Sequence, residues 1–130
     1  MIVGIGVDVC DLQRWEDALV RHPGLVQKVL TSAESSLPKR SQAARFAAKE
    51  ALAKALGGPD GLRWHEVEVV TEQSGKPRLH LTGGSARTVQ ERGVTDIHLS
   101  LSHDGALAVA FVICEAVSYT HLRAHETRED

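Results

Sequence analysis

Aromatic residues are almost missing from this sequence: Phe, Tyr and Trp together number five in 130 residues. A nucleic-acid face built from stacked rings is excluded on that ground, and the core must be Val, Leu, Ile and Ala. Cysteine is equally scarce. Cys10 and Cys114 lie far apart and form neither a C-x-x-C pair nor a zinc pattern, so both read as reduced thiols of a cytosolic chain. No apolar run approaches the roughly 20 residues of a membrane span. Met1 leads into Ile-Val-Gly-Ile-Gly-Val without a basic region or cleavage site, so no signal peptide is expected. Charge of one sign is also missing: 15 basic against 17 acidic residues leave a net −2, which excludes a general polyanion binder. With 42% apolar and 25% charged residues, the chain has the balance of a single soluble domain with its own core.

The periodicity predicts an α+β fold. Residues 1–10 read as a strand in which Gly4 and Gly6 permit close approach of another backbone or a ligand. Asp11 is placed to cap a helix over about 12–22, which Pro23-Gly24 breaks. A short helical piece covers 25–30, and Thr31-Ser-Ala-Glu34 matches a capping box. Pro38-Lys39-Arg40 reads as a basic connection. The strongest helix is expected over 42–56, rich in Ala, Leu, Lys and Glu, apolar nearly all round and stopped by Gly57-Gly58-Pro59. Strands follow at 64–72 and 77–81, then a helix near 85–92 with Gly93 behind it. Strands at 95–102 and 106–114 flank an Asp104-Gly105 turn. A mostly antiparallel sheet packed on the long helix is the architecture this order implies. Residues 1–117 form the domain; 118–130 lose all alternation and are set apart as a tail, non-native or disordered, against the alternative of a C-terminal helix.

Few residues here carry chemistry. Asp8 ends an apolar strand, where a helix-capping role competes with a functional one. Arg45 and Lys49 share one face of the long helix, and Glu50 and Lys54 another, by their spacing of four. A surface ion pair is the plain account of Glu50 and Lys54, but charges kept on a buried helix usually have a partner or a task. Asp8 and Glu50 together could hold one Mg²⁺, which takes one or two carboxylates plus phosphate oxygens, with Lys54 one turn away to balance phosphate charge. Ser102-His103-Asp104 is no acyl-transfer trio, because neighbours on a strand point to opposite faces. His103 is placed either to touch a ligand phosphate or ribose or as a surface histidine at a turn. The other histidines form no zinc set. Neither a dinucleotide-binding nor a Walker-type glycine loop is present.

These pieces, taken in order, resemble one family. Gly4-Ile-Gly-Val-Asp8 with Arg14, the run Arg45-Phe-Ala-Ala-Lys-Glu50-Ala-Leu-Ala-Lys54-Ala-Leu-Gly57, Gly75-Lys76-Pro77 and Ser100-Leu-Ser-His103-Asp104 are similar to the holo-[acyl-carrier-protein] synthases. These are the short, single-domain 4′-phosphopantetheinyl transferases, and the resemblance covers about residues 1–115. It implies the 4′-phosphopantetheinyl transferase fold. It implies movement of 4′-phosphopantetheine from coenzyme A to a serine of apo acyl carrier protein, releasing adenosine 3′,5′-bisphosphate. Mg²⁺, with Mn²⁺ as a substitute, is the implied metal, held by Asp8 and Glu50. Catalysis is implied for Asp8, Glu50 and Lys54, with Glu50, water or a second group deprotonating the serine. Coenzyme A contacts are implied for Arg45, Lys49, Lys54, Gly57, Gly75, Lys76, Pro77, Ser102, His103 and Asp104. Arg14 and Arg21 match the carrier-docking face. A homotrimer with active sites between subunits is implied, and the apolar strand 106–114, with two faces to cover, agrees with one. No nucleic-acid or membrane partner is expected.

Overall fold

The computed structural model describes residues 1–117. The tail expected at 118–130 lies outside the described residues. The elements are β1 (Ile2–Asp11), α1 (Leu12–Arg21), α2 (Leu25–Val29), α3 (Ser32–Ser35), α4 (Lys39–Ala55), a 3₁₀ turn (Trp64–Glu66), β2 (Val67–Thr71), β3 (Pro77–Leu81), α5 (Gly83–Glu91), β4 (Asp96–Asp104) and β5 (Leu107–Glu115). One antiparallel sheet has the order β1-β5-β4, and β2-β3 forms a separate hairpin. The expected α+β architecture is therefore present, with its sheet divided in two.

The helix α4 lies across the inner face of the three-stranded sheet. Ala47, Ala48, Ala51, Leu52 and Ala55 bury against Ala110, Val112 and Cys114. β1 approaches α4 so closely that a Cβ on Gly4 would stand 1.8 Å from the carbonyl oxygen of Ala55, and one on Gly6 2.0 Å from that of Ala51. The two glycines thus serve a backbone, one of the two uses the sequence left open. A second cluster holds Trp15, Leu30, Ala43, Ala44 and Ala108. The Trp15 ring stacks on Phe46 at 5.1 Å, and its indole N–H donates to Gln42 Oε1 at 3.2 Å.

Both local capping expectations hold. Asp11 Oδ1 accepts from the Arg14 N–H at 3.1 Å, and Thr31 and Glu34 exchange their side-chain and backbone contacts. Three expectations change. Lys39 and Arg40 are the first turn of α4 rather than a connection, because Pro38 starts the helix without needing an N–H of its own. Trp64 opens a 3₁₀ turn rather than a strand. β4 runs through His103 to Asp104, so the turn is Gly105-Ala106 and His103 is a strand residue opposite Ala108.

Candidate active site

Alternation along β1 sends Gly4, Gly6 and Asp8 toward α4, and the first two have no side chain. Asp8 is therefore the first position at which β1 offers a functional group to the helix. Its Oδ1 accepts from Lys54 Nζ at 2.8 Å, and the same ammonium donates to the Val7 carbonyl at 3.2 Å. Lys54 is more than half exposed, and this partner raises its pKa. Glu50, one helical turn earlier, is half-buried. Burial first, then the charge of Asp8, push its carboxyl above the ordinary range, while Lys54 pulls it down. Asp8, Glu50 and Lys54 thus form one charged group held between β1 and α4.

Two clefts open on either side of Glu50. One, of about 450 Å³, lies between β1, α1, α2 and α4 and is also lined by Asp8, Arg14, Ala18, Arg21, Leu25 and Phe46. Arg14 and Arg21, seven residues apart on α1, stand on its rim beside Asp11 and Asp17. The other cleft, of about 420 Å³, is bounded by Lys54, Ala53, Gly57, Gly58, Pro59 and Trp64. Gly57 turns the chain there at a φ of +85°, a left-handed conformation that glycine adopts without cost.

Arg45 is half-buried, which lowers its pKa. Its Nη2 lies 3.4 Å from Thr71 Oγ1, and its Nε is buried with no hydrogen-bond partner among the described residues. Thr71 pairs with Pro77 in the hairpin, so Arg45 stands beside the turn that carries Gly75, Lys76 and Pro77. Ser102, His103 and Asp104 end β4 with their side chains exposed. β5 separates them from β1. His103 lies with Arg40 and Ala43 at the start of α4, and Lys54 is about 16 Å farther along the axis at 1.5 Å per residue. A single chain therefore does not bring Ser102, His103 and Asp104 to Asp8, Glu50 and Lys54.

Lys49 is corrected outright. It is fully buried, its Nζ pairs with Glu34 Oε1 at 2.6 Å, and it donates to the carbonyls of Val29 at 2.7 Å and Trp64 at 2.9 Å. All three ammonium protons are used inside the protein, so none reaches a coenzyme A phosphate. Its partner Glu34 was legible only as a cap; it also accepts from the Val69 N–H at 2.8 Å. Trp64 as a cleft wall was missed as well, since its place beside Gly57 is a matter of tertiary contact.

Among the described residues no three potential metal ligands cluster, and no helix is long and apolar enough to cross a membrane. The 4′-phosphopantetheinyl transferase superfamily model matches residues 4–112. A holo-[acyl-carrier-protein] synthase of Cutibacterium acnes is 60% identical over 115 residues, 88% of this chain and 99% of the relative. The crystal structure of the Neisseria meningitidis synthase superposes with a TM-score of 0.82 at 29% identity, covering 88% of this chain and 99% of that one. The Helicobacter pylori synthase in complex with coenzyme A superposes at 0.75 with 26% identity, covering 85% and 99%. The chain belongs to the 4′-phosphopantetheinyl transferase superfamily, as an enzyme of its holo-[acyl-carrier-protein] synthase family.

Proposed function

We propose that the enzyme transfers 4′-phosphopantetheine from coenzyme A to a serine of apo acyl carrier protein, releasing adenosine 3′,5′-bisphosphate. The observation that carries this reading is the Asp8–Lys54–Glu50 group at the junction of two clefts. One cleft admits the acceptor and the other part of the donor, with the reacting phosphorus between them. The serine oxygen bonds to the pantetheine-bearing phosphorus as the bond to the bridging oxygen breaks. Glu50 takes the serine proton; its raised pKa makes it a stronger base than an ordinary carboxylate. Lys54 is exposed and carries its charge at the end of a mobile stem, so it can turn from Asp8 to the departing phosphate and neutralise it.

Asp8 and Glu50 fit a divalent cation. They are two carboxylates on one cleft, the charge of Asp8 acts on Glu50, and Mg²⁺ needs no more protein oxygens than these when phosphate supplies the rest. Bound there, Mg²⁺ would supply charge neutralisation for the pyrophosphate; Mn²⁺ has the same preference for oxygen ligands.

Of the proposed nucleotide contacts, Ser102, His103 and Asp104 lie apart from Asp8, Glu50 and Lys54 in one chain, and Arg45, Gly75, Lys76 and Pro77 line neither cleft. A site shared between copies reconciles the two sets, and the sheet supports it. Val3, Ile5, Val7 and Val9 of β1 and Phe111 of β5 leave their outer face 38–55% exposed, an apolar surface suited to a second copy. A homotrimer in the cytoplasm is the assembly proposed. Arg14 and Arg21 offer positive charge to an acidic carrier at the mouth of the larger cleft. The test is intact-mass analysis of carrier mixed with enzyme, coenzyme A and Mg²⁺. A gain of one phosphopantetheine, abolished by EDTA, is expected; an unchanged carrier overturns the reading.

A further inference from the structure

We propose that Arg92 is a positioning residue for coenzyme A binding: with Thr88 it holds the loop that leaves α4 in one shape before the coenzyme arrives. This rests on the coenzyme A reading above. The loop, residues 57–61, follows the helix that carries Glu50 and Lys54, and its first three residues lie beside Lys54 in the smaller cleft. Gly57, Gly58 and Gly61 hold positive φ, at +85°, +152° and +85°. Glycine loses more freedom on ordering than any other residue, so a loop with three in five residues needs support from outside itself.

That support comes from α5. Arg92 is its C-cap, and the guanidinium reaches back to the loop. Nη1 donates to the carbonyls of Leu56 at 2.9 Å and Gly58 at 3.4 Å, and Nη2 to that of Asp60 at 2.7 Å. Leu56 is the C-cap of α4, so the first of these bonds also satisfies a carbonyl at the helix end. One turn earlier on α5, Thr88 Oγ1 donates to the Gly61 carbonyl at 3.1 Å. Two side chains on one face of α5 thus take the carbonyls of residues 56, 58, 60 and 61, from one end of the loop to the other. A planar guanidinium with fixed, divergent N–H groups can bridge carbonyls that a single ammonium holds less firmly. Arg92 acts through the loop and not on the reacting phosphate. A loop ordered in advance need not be ordered by its ligand, and the difference appears as affinity.

Amide hydrogen exchange and transfer kinetics on the full-length protein test this in Arg92→Met and Arg92→Lys. In the Met variant the amides of residues 57–61 are expected to exchange about tenfold faster than in the parent, and added coenzyme A to slow them again. Its KM for coenzyme A should rise about tenfold while kcat and the KM for carrier stay within about twofold, the split that marks lost binding and intact chemistry. Arg92→Lys keeps the charge without the fork and should fall between Met and parent. Thr88→Val removes one loop bond and should raise the KM for coenzyme A about threefold; together with the Lys variant it decides the matter if the Met variant does not fold. Faster exchange at 57–61 with a parent KM would make Arg92 a clamp for the fold alone, and overturns the proposal. So do equal rises in both KM values, or exchange that no variant changes. A parent that neither binds coenzyme A nor transfers from it removes the coenzyme A reading itself, and this one with it.

Discussion

At the scale of single residues, Glu50 carries a conflict between stability and chemistry. Its carboxyl is raised by burial and by Asp8, so the folded state prefers the protonated form. A raised carboxyl contributes stability that is complete below its ordinary value of 4.5 and is lost as pH rises through the folded value. At pH 7 the ionised side chain therefore costs stability. Glu50→Gln is expected to unfold at a higher temperature than the parent at pH 7, with the gain shrinking toward pH 4, while intact-mass analysis shows transfer abolished. A Gln variant that transfers at the parent rate would remove Glu50 from the proposed chemistry. Cys10 gives the same sign at the other end of the scale. Burial, then the charge of Asp8, push its thiol up to about 11 from 9.0. The stability it contributes is intact below pH 9 and is lost toward pH 11, so Cys10→Ala should flatten the alkaline fall in denaturant midpoint across that window. Lys49 is the opposite case to Glu50, a charge kept for the fold. Lys49→Met strands buried Glu34 and two carbonyls and should cost about 3–5 kcal/mol in urea unfolding, because a buried ion pair broken on one side leaves an uncompensated charge.

At the scale of elements, the contact between β1 and α4 places the site. Two glycines on the strand and alanines on the helix bring the backbones together, and Asp8 meets Lys54 because of that approach. Gly6→Ala should destabilise by about 3 kcal/mol, since its methyl would meet the Ala51 carbonyl and neither backbone can yield cheaply. Gly24→Ala is the matching control. It has open space around it and an ordinary φ of −86°, so equilibrium denaturation should barely distinguish it from the parent. The elements themselves were largely readable in advance: the Ala-rich run of α4, the Asp11 and Thr31 caps and the alternation of β5 all have local causes. The errors fell where a neighbour decides. Trp64 has strand-like residues around it, but a hydrogen bond from Lys49 holds its carbonyl in a 3₁₀ turn. Lys39 and Arg40 look like linker residues, yet they begin α4, with the Arg40 guanidinium reaching the Gly105 carbonyl across the fold.

At the scale of the whole molecule, the inner face of the sheet is filled by α4 and the outer face is left apolar and open. Ser102, His103 and Asp104 stand near the start of α4, whereas Glu50 and Lys54 stand in its second half. Both facts point to one arrangement, in which a second copy covers the outer face and completes the site. Ile5, 55% exposed on that face, is the place to test it. If the proposed oligomer forms through this face, Ile5→Asp should sediment as a monomer where the parent does not and lose transfer activity, without lowering helicity by circular dichroism. A monomeric variant with full activity would show that one chain suffices.

Local physics made the fold class and the motif residues legible in the sequence. Helix propensity, capping side chains, glycine stops and strand alternation act over a few residues, and the charges on an apolar helix announce themselves as exceptions. The same signals could not separate Lys49 from Glu50, two adjacent charges on one helix. That distinction depends on which way each points once α4 is rotated against its neighbours. The ammonium enters the core to meet Glu34, Val29 and Trp64, and the next residue, about 100° around the helix, faces the clefts. Only the packing of α4 between the sheet, α3 and the 3₁₀ turn decided which charge supports the structure and which remains free for chemistry.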